Sequence, residues 1–190
     1  MKKIMFSDKF CLTQAVLSGI KTMTRRVLRD NVPFGNLEET VKHLPYKVGE
    51  VVAIAQPYKD IIECMAEYSD IIINVDGSIN REYKAGWTNK MFVRADLLPH
   101  HIRITDVKVE RLQSISDDDI MHEGIYPQRF FNKVEYVFAT KGKKNNTPIH
   151  RMKIFPTPRE AFAALIDKIS GKGTWESNPW VVAYSFELVD

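Results

Sequence analysis

Cysteine is scarce in this chain: 190 residues carry two thiols, Cys11 and Cys64, and no CxxC pair. That excludes a disulfide-stapled scaffold and a thiolate zinc centre of the usual spacing, and it points to reduced, buried cysteines. Long apolar runs are missing as well. No stretch approaches the roughly 18 consecutive apolar residues of a membrane span, and the start, Met1 to Asp8, turns polar too early for a secretory leader. We therefore expect a cytoplasmic protein with no membrane partner. Internal repeats and low-complexity tracts are absent. His100-His101 lacks a third ligand at any suggestive spacing, so neither a metal nor another cofactor is expected.

Acidic side chains are absent from 136–159, which holds Lys141, Lys143, Lys144, His150, Arg151, Lys153 and Arg159. Residues 1–30 are similarly one-sided, with Lys2, Lys3, Lys9, Lys21, Arg25, Arg26 and Arg29 against Asp8 and Asp30. The net charge is only +3, so what matters is the clustering, which suits either a polyanionic partner or a solvated basic surface. The 136–159 stretch reads as a nucleic-acid clamp or a surface loop, with Lys141–Pro148 the candidate for its mobile part.

What is present supports a folded core: 44% of residues are hydrophobic and 27% charged, a globular balance. Short strands are expected over Lys2–Phe6, Thr22–Leu28, Glu50–Ala55, the alternating His101–Leu112 and Trp180–Leu188. Residues 61–85 read as a hairpin insertion, with strands at Ile61–Tyr68 and Ile71–Val75 and a tight turn at Asp76-Gly77. Helices are expected in three places. One carries Leu12, Ala15 and Val16 and ends at Gly19; one is capped by Ser116 and ends at Gly124; one opens at Pro158 with Phe162, Leu165, Ile166 and Ile169 on one face. The βαβ rhythm of a parallel sheet is missing, so the class is α+β: a small mixed barrel in a single domain, 1–190.

The densest chemistry lies in Gly19-Ile20-Lys21-Thr22-Met23-Thr24-Arg25-Arg26. A glycine turn there delivers an ammonium, two hydroxyls and two guanidiniums within eight residues. On a regular strand Thr22, Thr24 and Arg26 share one face, and Met23, Arg25 and Val27 the other. That set suits a phosphate or the oxygen-rich edge of a base. It equally suits an edge strand protected by charge. Trp87, Trp175 and Trp180 could stack on bases, although packing is the commoner job of such residues.

Gly19-x-Lys21-x-x-Thr24-x-Arg26 resembles the signature of ASCH domains, a branch of the PUA-like barrels. The resemblance extends to a phage- and prophage-associated subfamily through Thr105-Asp106-Val107-Lys108-Val109-Glu110-Arg111-Leu112-Gln113-Ser114-Ile115-Ser116, Glu123-Gly124-Ile125 and Trp175-Glu176-Ser177-Asn178-Pro179-Trp180-Val181. Residues 60–85 and 128–150, the least covered, are then insertions. The resemblance implies a PUA-like mixed β pseudo-barrel with short flanking helices. It further implies binding of RNA or a modified nucleoside through Gly19, Lys21, Thr22, Thr24, Arg25 and Arg26. A small enzyme class of the family deacetylates acetylcytidine, and its lysine, threonine and glutamate carry over to Lys21 as base, Thr24 as nucleophile and Glu123 as proton shuttle. A phage-encoded protein-interaction module is a third expectation. One stretch departs from the pattern: the subfamily's arginine and glutamate after the Gly-Asp turn are here Ala55 and Gln56.

Overall fold

The protein is described by a computed structural model covering residues 1–28, 32–33, 37–62, 72–144 and 147–189. It is a mixed α and β structure with two sheets and mostly short helices. Strands are β1 (Lys3–Ile4), β2 (Met23–Val27), β3 (Val51–Ile54), β4 (His101–Arg111), β5 (Tyr126–Phe130), β6 (Lys133–Lys144), β7 (Thr147–Phe155) and β8 (Trp180–Leu188). Helices are α1 (Leu12–Leu17), α2 (Leu37–His43), α3 (Tyr58–Ile61), α4 (Asp117–His122), α5 (Pro158–Ser170) and α6 (Thr174–Ser177). In hydrogen-bonded order the strands run β1-β3-β4-β8-β2 in one sheet and β5-β6-β7 in the other. Among the described residues no helix is long and apolar enough to cross a membrane.

The chain divides into two compact units. The first comprises Met1–Phe6, Val51–Arg103 and Leu188–Asp190. Here β1 pairs in parallel with β3, which pairs antiparallel with the start of β4. Its core gathers Ala53, Ala55, Tyr58, Ile61, Ile72, Tyr83, Val93, Leu97 and Leu98, with Trp87 packed against it. Tyr58 anchors this core: its hydroxyl accepts the Arg94 N–H at 2.8 Å, and its ring meets Tyr83 edge-on. The strand expected from Ile61 begins instead as helix α3, and residues 63–71, including Cys64, lie outside the described residues. The Asp76-Gly77 turn is present, closed by the Ile73–Ile79 bridge.

The second unit comprises Ser7–Glu50 and Ile104–Glu187. Helix α1 is entered through Cys11, whose backbone is left-handed (φ 54°), and no side chain caps it. Gly19, at φ 73°, closes the turn beyond it as expected of a helix-ending glycine. Ser116 caps α4 by accepting the Asp119 N–H, and Thr157 caps α5 by accepting that of Glu160. In α5, Phe162, Leu165 and Ile166 are buried, whereas Ile169 is exposed in the last turn.

The segment expected to be a mobile loop is largely strand. β6 and β7 pair antiparallel from Tyr136↔Phe155 to Lys144↔Thr147, and β5 adds a third strand to the meander. Trp175 and Trp180 pack rather than project. Trp175 meets Phe162 edge-on beneath Arg159, and Trp180 lies under the Arg111 guanidinium.

Candidate functional site

All the residues singled out around Gly19–Arg26, and Glu123, belong to the second unit. Two backbone bonds fix their frame. Thr22 N–H donates to the His122 carbonyl at the end of α4, and Phe186 N–H in β8 donates to the Thr22 carbonyl, both at 2.9 Å. The signature is thus clamped between a helix end and a paired strand. Beyond Thr22, β2 runs antiparallel to β8 with Thr24 opposite Tyr184 and Arg26 opposite Val182. Strand alternation then sorts the side chains. Arg25 faces one way with Ala183, and Thr24 and Arg26 face the other with Tyr184.

On the Arg25 side lies a buried charge network. The Lys21 ammonium, 2% exposed, donates to Glu123 Oε2 at 2.7 Å, to the Glu123 carbonyl at 2.9 Å and to the Met23 carbonyl at 2.7 Å. Its three N–H groups therefore each have an acceptor. Arg25 Nε donates to Glu110 Oε1 at 2.8 Å, one terminal nitrogen to Asp119 Oδ2 at 2.7 Å and the other to Glu123 Oε1 at 3.2 Å. Glu123 is consequently held by both oxygens, one on Lys21 and one on Arg25. Lys108 stands 2.7 Å from Glu110 Oε2 at the rim, so three cations meet three carboxylates.

Burial sets the protonation of these groups. Removal from water pulls the Lys21 pKa below its ordinary value, opposed by the Glu123 charge and hydrogen bond and assisted by Arg26 and Arg25. Burial also works against charge on Arg25. There the Glu123 charge and the hydrogen bonds that Arg25 donates to Glu110 and Asp119 outweigh it, and the guanidinium is held above its ordinary value.

The opposite face of β2 is built differently. Thr24 is buried, and among the described residues its hydroxyl makes no hydrogen bond. Across the ladder, Tyr184 packs edge-on against Tyr46 with ring centres 5.4 Å apart. Burial pushes the Tyr184 phenol up to about 12, countered by the Tyr46 backbone N–H and the Arg26 charge. Hydroxyl, guanidinium and two aromatic rings thus share one side of the strand pair.

The structure therefore brings Lys21, Arg25 and Glu123 together, places Thr24 and Arg26 across the strand from Arg25, and leaves Gly19 as an open left-handed turn. Arg25 is wholly consumed by carboxylates, so neither it nor Lys21 presents charge to solvent. Sequence reasoning missed Glu110 and Asp119 as members of the network. Gln56 is buried in the first unit with its side-chain oxygen unpartnered among the described residues. No group of three or more His, Cys, Asp or Glu side chains among the described residues is arranged to hold a metal ion. No family model, no curated protein and no solved structure matches this chain.

Proposed function

We propose that this chain is a PUA-like, ASCH-type protein that recognises a modified nucleoside on the Thr24 face of β2. The observation that carries this reading is Thr24, which is 7% exposed and whose hydroxyl makes no hydrogen bond among the described residues. A ligand's polar edge can hydrogen-bond this hydroxyl in place of solvent. Arg26 supplies a guanidinium for a carbonyl oxygen, and the buried Tyr46–Tyr184 pair backs the strand beneath it. Lys21 and Arg25 serve this face indirectly, as the internal charge pairs that fix β2 against α4. The mixed sheets with β2 at an edge are compatible with the pseudo-barrel.

Calorimetric titration with cytidine and acetylcytidine tests the reading. Thr24→Val keeps the shape and removes the hydroxyl, and should weaken binding about tenfold, equivalent to about 1.4 kcal/mol, with an unchanged melting temperature. Absence of binding to either nucleoside, or a Thr24→Val protein that binds as tightly as the parent, sinks it.

A second reading is amide hydrolysis on acetylcytidine-like substrates. It is favoured by the lowered pKa of Lys21 and its 2.7 Å contact with Glu123, a pairing typical of sites that move protons. In this mechanism the Thr24 oxygen attacks the acetyl carbonyl as its proton passes through water to the Lys21–Glu123 pair on the other side of β2. Glu123 then returns a proton to the leaving cytidine nitrogen, and water hydrolyses the acetyl ester on Thr24, releasing acetate and restoring the hydroxyl. Release of cytidine from acetylcytidine, abolished by Glu123→Gln, is the expected result. A reaction rate that Glu123→Gln leaves unchanged removes this mechanism.

A further inference from the structure

We infer that the β5-β6-β7 sheet is a docking surface for single-stranded nucleic acid. Three observations carry it. Over residues 126–155, seven Lys and Arg residues stand against one acid, Glu135. The described cations Arg129, Lys133, Lys141, Arg151 and Lys153 are all exposed, and none is ion-paired among the described residues. Finally, Phe131 sits at the β5–β6 turn, 99% exposed, between strands that carry Arg129 and Lys133.

Register organises these groups. Arg129 pairs with Val134, Arg151 with Thr140 and Lys153 with Phe138, so the three cations lie on one face of the meander. Arg151 and Lys153, two residues apart on one strand, are separated by about 6.8 Å along it. By the same register Lys133 and Lys141 lie on the other face, so the row on this face is Arg129, Arg151 and Lys153. A flexible chain of phosphates can follow such a row of cations, while an exposed ring offers a stacking platform to an unpaired base. A membrane surface fits less well. The exposed apolar residues are divided, with Val134 on the cationic face and Met152 and Ile154 on the other, so no single apolar face is available to enter a bilayer.

The test is fluorescence anisotropy of the full-length protein with labelled 12-nucleotide oligouridylate and oligothymidylate. Three phosphate contacts predict a roughly 20-fold loss of affinity between 50 and 200 mM salt. Arg151→Ala with Lys153→Ala should reduce that loss to roughly 3-fold. Phe131→Ala, at a fully exposed turn where folding is not at risk, should weaken binding by roughly 5- to 150-fold. Binding to either oligonucleotide with these dependences supports the inference, and the tighter of the two identifies the sugar preferred. Thr24→Val should leave oligonucleotide affinity unchanged, which separates this surface from the nucleoside site. The inference is overturned if neither oligonucleotide binds at 50 mM salt, or if binding ignores both sets of substitutions. Equal or tighter binding to phosphatidylserine vesicles or polyglutamate overturns it too.

Discussion

Lys21 is the residue on which most of the buried network depends. Replacing it by Met removes one of the two cations that compensate Glu123 and leaves that carboxylate buried with Arg25 alone. Breaking one partner of a buried pair costs about 3–5 kcal/mol, so urea denaturation should show a loss of that size. Pairing Lys21→Met with Glu123→Leu should recover part of it, because apolar groups of similar volume often replace a buried ion pair neutrally. The same lysine sets a pH dependence. Its folded pKa lies below the ordinary 10.5, so across the interval between the two the unfolded chain holds more protons and stability rises with pH. The rise should be absent in Lys21→Met when denaturation midpoints are followed from neutral pH to about 10. Above that, Tyr184, raised to about 12, contributes with the opposite sign and the two effects mix. Glu110 and Asp119 show where residue-level reading stopped. The apolar alternation in His101–Leu112 shifts phase after Ile104, to Val107 and Val109. The structure instead buries Glu110, in phase with Ile102 and Ile104. A carboxylate in phase with buried isoleucines was the available signal. Asp119 gave less, since three acids at a helix start are already explained by the helix dipole.

Among the elements, α4 matters most because Glu123 caps its C-terminal end. Gly124 follows with φ 95°, and a Cβ there would stand 3.1 Å from Leu12 Cδ2 and 3.6 Å from Lys21 Cδ. Gly124→Ala should therefore cost at least the roughly 1–2 kcal/mol of a left-handed non-glycine residue and disturb Glu123 as well. Gly19→Ala, equally left-handed but in open space, should cost less. Thermal denaturation of the two variants makes the comparison; equal losses would show that α4 tolerates the intrusion. Element boundaries were legible where a physical stop signal existed: Ser116, Gly124, Pro158 and Gly19 all act as read. The β6–β7 hairpin was not legible. Gly142, Asn145, Asn146 and Pro148 have loop composition, whereas the strands around them are held by a cross-strand register that sequence spacing does not encode. Ile61 failed for another reason, since a short apolar run fits a helix turn as well as a strand.

For the whole molecule, connectivity is the governing fact. The chain passes from one compact unit to the other four times, after Phe6, Glu50, Arg103 and Glu187. Neither unit is a continuous stretch, so no single cut yields one of them intact. A fragment of residues 104–190 would retain β8 but lose β2, its partner over Met23–Val27. That fragment should lack a cooperative melting transition by circular dichroism, while the full chain shows one; a folded fragment would contradict the division. The mixed α and β character was within reach of composition and patterning. The division into interleaved units was not, because it rests on contacts between residues far apart in sequence.

The turn at Phe131 has one more consequence. Its backbone is left-handed, φ 50°, a conformation in which a bulky side chain is strained by about 1 kcal/mol or more and glycine is not. Phe131→Gly should accordingly raise the melting temperature by a few degrees, read by calorimetry. Heat-tolerance selection on this chain would find that substitution early, and would thereby strip away the most exposed ring among the described residues. Stability and nucleic-acid affinity would then move in opposite directions from a single codon.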